Sequence, residues 1–213
     1  MNQLPAILGR IGIIVVALVL WFWTQRLISR KAMTDKGVGD RVHQWTASTN
    51  AWFWSHARAA DLTLITSSAF IDLFGLYLIG ATILGTTFRP FLALLMLFIL
   101  RQVCQGICTL PIPAGMIWRN PGFPSLLVTY GTSNDLFFSG HTAIAVLCTL
   151  ELAQVAPAWV AAAAAVIALL EATVVIVLRA HYTIDVFTAA FTAWCCDSLA
   201  ARIAPQIEAW LHH

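Results

Sequence analysis

PAWVAAAAAVIALLEATVVIVLR, residues 157–179, carries one acid, Glu171, and ends on one base, Arg179. A helix needs about 20 consecutive apolar residues to cross a bilayer. This run supplies them without a turn signal, so it reads as a membrane-spanning helix. Five further runs fit the same description, at 7–28, 62–86, 90–111, 138–154 and 182–203. The composition agrees. Of 213 residues, 60% are hydrophobic and 10% charged, where a soluble domain carries roughly 25% charged residues. Period-2 alternation is missing throughout, and backbone polar groups in lipid must be satisfied within helices or closed barrels. The expected fold is therefore all-α, a polytopic membrane protein with six transmembrane helices. The length suits a single catalytic domain, residues 1–213. The run 7–28 contains Arg10 but lacks a small-residue cleavage site, so it is expected as a retained helix.

Two connections are long. Residues 29–61 combine Arg30, Lys31, Lys36, Arg41 and Arg58 with Trp45, Trp52, Phe53 and Trp54. Cations plus tryptophans predict a segment lying in the headgroup region between the first two spans. The stretch from Pro111 to Phe137 is broken by Pro113, Pro121, Gly122 and Pro124, which rule out a continuous helix. A net charge of +2 without a Lys/Arg run excludes a nucleic-acid partner. Cys104, Cys108, Cys148, Cys195 and Cys196 form no CxxC pair and read as apolar packing residues. Small-residue stretches such as Ala161–Ala165 permit close helix approach, within the fold or between two copies as a homo-oligomer.

Outward from Arg179 the next residues are HYTID, 181–185. His181 and Asp185 are four apart and share one helix face. A carboxylate there can hold one ring nitrogen of His181 and leave the other free as nucleophile or base. Forty residues earlier, FFSGHT, 137–142, places Ser139, Gly140 and His141 where a loop becomes a helix. Free N–H groups at a helix start, a hydroxyl and a glycine make a cradle for a phosphate. If spans alternate, both motifs fall on the same face and at similar depth. Arg101 and Arg179 are the cations placed to meet a bound anion. The alternative is structural pairing with Asp72 or Glu171; Asp197 reads as structural. The chemistry that fits is phosphoryl transfer: attack by His181, with His141 as general acid and then base. Without a carboxylate cluster for a hard cation, neither metal nor other cofactor is expected.

LRQVCQGICTLPIP, GFPS, FFSGHT and HYTIDV resemble the lipid phosphatase and phosphotransferase superfamily. That superfamily includes type 2 phosphatidic acid phosphatases and sphingomyelin synthases. The likeness is greatest to the plant phosphatidylcholine:diacylglycerol cholinephosphotransferases, over about residues 100–200. It implies a catalytic triad of His141, His181 and Asp185, and a motif arginine at Arg101 ahead of Thr109, Leu110 and Pro111. It also implies a phospholipid donor and a lipid-alcohol acceptor such as diacylglycerol. Departures are informative. The phosphatase branch has an arginine where Val175 stands and a second where Cys108 stands. Fewer cations favour a phosphodiester monoanion, such as phosphatidylcholine or phosphatidylethanolamine, over a monoester dianion. Asp135, six residues before His141, resembles an acid of sphingomyelin synthases and is a candidate headgroup contact. Tyr182, Trp118, Tyr130, Phe137 and Phe138 are candidate partners for a quaternary ammonium, or simply interfacial aromatics.

Two rival readings remain at this point: a lipid phosphate phosphatase using water as acceptor, and a transporter or scaffold that only binds headgroups. Sidedness is also open. Arg26, Arg30, Lys31, Lys36, Arg41, Arg58 and Arg119 lie on the motif-bearing face, against Arg10, Arg89 and Arg202 on the other. The positive-inside bias makes the motif face cytoplasmic, whereas the sphingomyelin synthase likeness implies the opposite face.

Overall fold

The computed structural model describes residues 4–30, 38–130 and 136–211, and among them it is helical, without a strand. The helices are α1 (Leu4–Ile28), α2 (Arg41–Trp45), α3 (Ala47–Ser55), α4 (Ala57–Leu84), α5 (Arg89–Ile107), α6 (Gly140–Val155), α7 (Ala158–Val177) and α8 (Thr183–Leu211). α1, α4, α5, α7 and α8 are long and apolar enough to cross a membrane. This is the architecture of a multi-pass membrane protein. The fourth expected span is α6, a shorter apolar helix. At 1.5 Å per residue its 16 residues reach roughly 24 Å, against about 30 Å of hydrocarbon.

α6 is the centre of the bundle, packed against α7, α8 and α4, while α8 also packs on α5 and α1 rests on α4 and α5. Small residues make this possible: Ala143, Ala145, Ala189, Ala193 and Ala200 are all buried in one core with Leu97, Leu147 and Cys148.

Polar contacts at the helix ends establish the antiparallel order. Arg10, inside the first span, donates to the carbonyls of Thr82 and Gly85 at 3.1 and 3.0 Å, satisfying orphan acceptors at the end of α4. Glu208, near the end of α8, accepts from Thr87 Oγ1 and from the Phe88 N–H at 2.7 and 2.6 Å, capping α5. Arg89 pairs with Glu151 of α6 at 2.9 Å and with Asp197 of α8 at 3.2 Å. These groups gather at one end of the bundle. At the other end, Asn50 of α3 donates to the carbonyls of Gly115 and Val177.

The segment between the first two spans contains two short helices, with Trp45, Trp52 and Trp54 exposed. Several boundaries differ from expectation: α5 stops at Ile107 rather than 111, and the two largest differences are extensions. α4 begins at Ala57 rather than 62, because Asp61 pairs with Arg119 at 2.7 Å and the charged first turn stays helical. α8 runs through Pro205 to Leu211, because Glu208 has a docking partner in α5.

Candidate active site

The loop from Cys108 to Ser139 and the α7–α8 turn meet at the end of the bundle that carries α2 and α3. α6 starts where Ser139 takes an extended conformation and its hydroxyl accepts the Thr142 N–H at 3.3 Å, an N-cap. α7 ends differently. Arg179 adopts a left-handed φ of 59°, and its N–H donates back to the Ile176 carbonyl at 3.1 Å. Glycine is the usual residue there, since a Cβ costs roughly 1–2 kcal/mol. The reversal sends the chain straight into His181, Tyr182 and α8.

His181 is buried, and its Nδ1 lies 2.6 Å from the Leu136 carbonyl oxygen and 3.6 Å from Asp185 Oδ2. A carbonyl can only accept, so Nδ1 carries the proton and Nε2 keeps its lone pair. The expected orienting carboxylate is thus beside the ring rather than hydrogen-bonded to it. Asp185 Oδ2 instead accepts the Tyr182 N–H at 2.9 Å. Its Oδ1 is buried without a hydrogen-bond partner among the described residues.

His141 opens α6 on the opposite wall. Its Nε2 is buried without a partner among the described residues, and its ring stands edge-on to Trp118 at 5.2 Å. Arg101 is buried, and its Nε donates to the Phe138 carbonyl at 2.8 Å. A Cβ on Gly140 would lie 3.4 Å from that nitrogen, so the guanidinium passes directly over the glycine. His141, His181, Arg101, Gly140, Trp118 and Leu136 line one cavity of about 40 Å³. Two histidines distant in sequence therefore face a common space, with a guanidinium at its edge.

None of the other described residues expected at the site lines this cavity. The Ser139 N–H donates to the Asp185 carbonyl at 3.3 Å, and its hydroxyl also accepts from Thr142 Oγ1. The Tyr182 hydroxyl donates to the Pro111 carbonyl at 3.1 Å. The Arg179 Nη2 donates to the His43 carbonyl. Burial pushes the Arg179 guanidinium down from its ordinary value, opposed by the Asp40 carboxylate. Asp135 lies outside the described residues. Asp72 accepts the N–H groups of Leu126 and Leu127, and Glu171 accepts from Ser67 Oγ. Among the described residues no group of three His, Cys, Asp or Glu side chains is gathered as a metal site would require.

Sequence reasoning missed two residues. His43 is buried in α2, its Nε2–H donates to the His181 carbonyl at 2.9 Å, and its ring stacks on Tyr182 at 5.4 Å. Asp40 caps α2 by accepting from the Val42 and His43 N–H groups at 2.9 and 3.2 Å. The same carboxylate accepts the Thr183 N–H at 2.6 Å and Thr183 Oγ1 at 2.9 Å, at the start of α8. The signal available was D-R-V-H, an Asx N-cap followed by a histidine.

The family described as AtPDCT1/2, phosphatidylcholine:diacylglycerol cholinephosphotransferase, matches residues 40–202. The matched stretch starts at the Asp40 cap and contains every residue of the cavity wall named above. No curated protein and no solved structure matches the chain.

Proposed function

We propose a function on the premise that this chain belongs to the AtPDCT1/2 family of phosphatidylcholine:diacylglycerol cholinephosphotransferases: it moves phosphocholine from a phospholipid to diacylglycerol. The observation that carries the mechanism is the shared cavity of His141 and His181, with Nδ1 of His181 committed to the Leu136 carbonyl.

The donor phosphodiester lies between the two rings, its non-bridging oxygens near Arg101 and the start of α6. His181 Nε2 attacks phosphorus. The bond from phosphorus to the diacylglycerol oxygen breaks, and His141, entering protonated, gives that oxygen its proton. Diacylglycerol leaves and phosphocholine stays on His181. An incoming diacylglycerol hydroxyl passes its proton to His141 and attacks phosphorus. The P–N bond then breaks and His181 is restored. The Leu136 carbonyl holds the tautomer, and the Asp185 carboxylate stabilises positive charge as it develops on the ring. Trp118, beside His141, offers an aromatic face to the choline ammonium, an attraction of roughly 0.5–2 kcal/mol.

Arg101 is the single arginine or lysine among the described residues lining the cavity. One guanidinium suits a diester monoanion better than a monoester dianion, which supports transfer over phosphatase action. α6, with its start recessed by its short length, is the sixth span in this reading. It sets His141 below the surface, near the depth of a lipid phosphodiester.

The test is a lipid-pair assay with purified protein, offering labelled phosphatidylcholine or labelled phosphatidic acid with diacylglycerol. Labelled phosphocholine should appear on the acceptor, and His181→Ala should abolish it. Inorganic phosphate as the main product would overturn transfer. Headgroup exchange that survives His181→Ala would overturn the phosphohistidine route.

A further inference from the structure

A second cavity of about 830 Å³ lies between α1 and α5. That is within the range of roughly 300–1,000 Å³ typical of small-molecule sites. Its walls are apolar, among them Ile13, Ala17, Leu94 and Ile99. Trp21, Phe98 and Leu127 line both this cavity and the catalytic one, so the two adjoin across these side chains. At that junction the Trp21 indole N–H is buried without an acceptor among the described residues. An apolar channel that meets a phosphate-sized polar cavity, with an unmet donor at the junction, has the polarity profile of a glycerolipid. Acyl chain, ester carbonyl and phosphorylated or free sn-3 oxygen follow in the same order.

We propose that the α1–α5 cavity binds an acyl chain of the diacylglycerol moiety, with the Trp21 N–H meeting an ester carbonyl at its mouth. This rests on the phosphocholine-transfer reading above. In that reaction the leaving group and the acceptor are both diacylglycerols. By microscopic reversibility one site serves both half-reactions, so a single chain pocket beside the histidines is sufficient. The pocket's outer wall is α1, which lies before the family match at residue 40.

Gly12 lines the cavity, and a Cβ added there meets nothing within 4 Å. The side chain of Gly12→Phe therefore starts in open space on the cavity wall. With dioleoylglycerol as acceptor, kcat/KM should fall at least tenfold. With dioctanoylglycerol it should change less than threefold. Val19→Phe, on the exposed face of α1, should alter neither. Equal losses with both acceptors, or no loss with either, would overturn the proposal. A wild-type protein that makes no phosphatidylcholine from either acceptor would sink the transfer reading instead. The pocket is then tested without turnover. Phosphatidylcholine carrying a mid-chain diazirine, photolysed on His181→Ala protein, should label α1 between Gly9 and Trp21, and Gly12→Phe should suppress that label. Absence of the label, or its persistence in Gly12→Phe, marks ordinary bilayer contact and overturns the site.

Discussion

A backbone oxygen, not a side chain, makes the hydrogen bond to the His181 ring. The His181–Asp185 pairing was legible from its i,i+4 spacing, and the two side chains do approach to 3.6 Å, although His181 precedes α8 rather than sharing its face. The Leu136 carbonyl at 2.6 Å was not legible, since any residue presents the same carbonyl. Asp185 therefore acts in the proposed reaction through charge more than through tautomer selection. Asp185→Asn should lower kcat by up to about 10⁴-fold, the loss when the carboxylate of a Ser-His-Asp triad is neutralised, with KM changed less than threefold. Steady-state kinetics in mixed micelles would measure it. Activity within tenfold of wild type would mean that the carbonyl alone suffices and the carboxylate only caps Tyr182.

Helices α2 and α8 are coupled by one carboxylate. Asp40 satisfies N–H groups at the starts of both, and His43, one turn on, holds the His181 carbonyl. Losing an N-cap costs about 0.5–2 kcal/mol, so losing two costs about 1–4 kcal/mol. Asp40→Ala should lower the detergent melting temperature accordingly. It should also reduce activity, because the α7–α8 turn carries His181. A melting temperature within 1 °C of wild type would show that the two helix starts hold without it. None of this coupling was readable from the chain, where Asp40 and Thr183 are 143 residues apart. The spans were readable, because apolar length is a local property. Their ends were less so where a charge has a distant partner. Asp61 and Glu208 lie just outside the apolar runs 62–86 and 182–203, and they extend α4 and α8 through Arg119 and through the start of α5.

At the scale of the whole molecule, alternation of the helices puts α2, α3, the α5–α6 loop and the α7–α8 turn at one end, and the α4–α5 and α6–α7 turns at the other. The contacts of Arg10, Arg89 and Glu208 at the second end, and of Asn50 and Asp40 at the first, agree with it. The weak link is α6, roughly 6 Å shorter than the hydrocarbon of a typical bilayer. A short span is accommodated by local thinning of the bilayer at modest cost. Single cysteines in a cysteine-free background can decide whether it crosses. Asn50 is buried and unsuitable, whereas Thr49 and Ala158 are exposed, at opposite ends of the bundle. A membrane-impermeant maleimide should reach Thr49→Cys and Ala158→Cys from opposite sides. The excess of cations at the Thr49 end predicts that Thr49→Cys reacts from the cytoplasmic side. Should both positions react from one side, α6 would be a re-entrant helix and the sixth crossing would be lost. Should Thr49→Cys react only from outside, the cations at that end would be serving lipid phosphates rather than setting orientation.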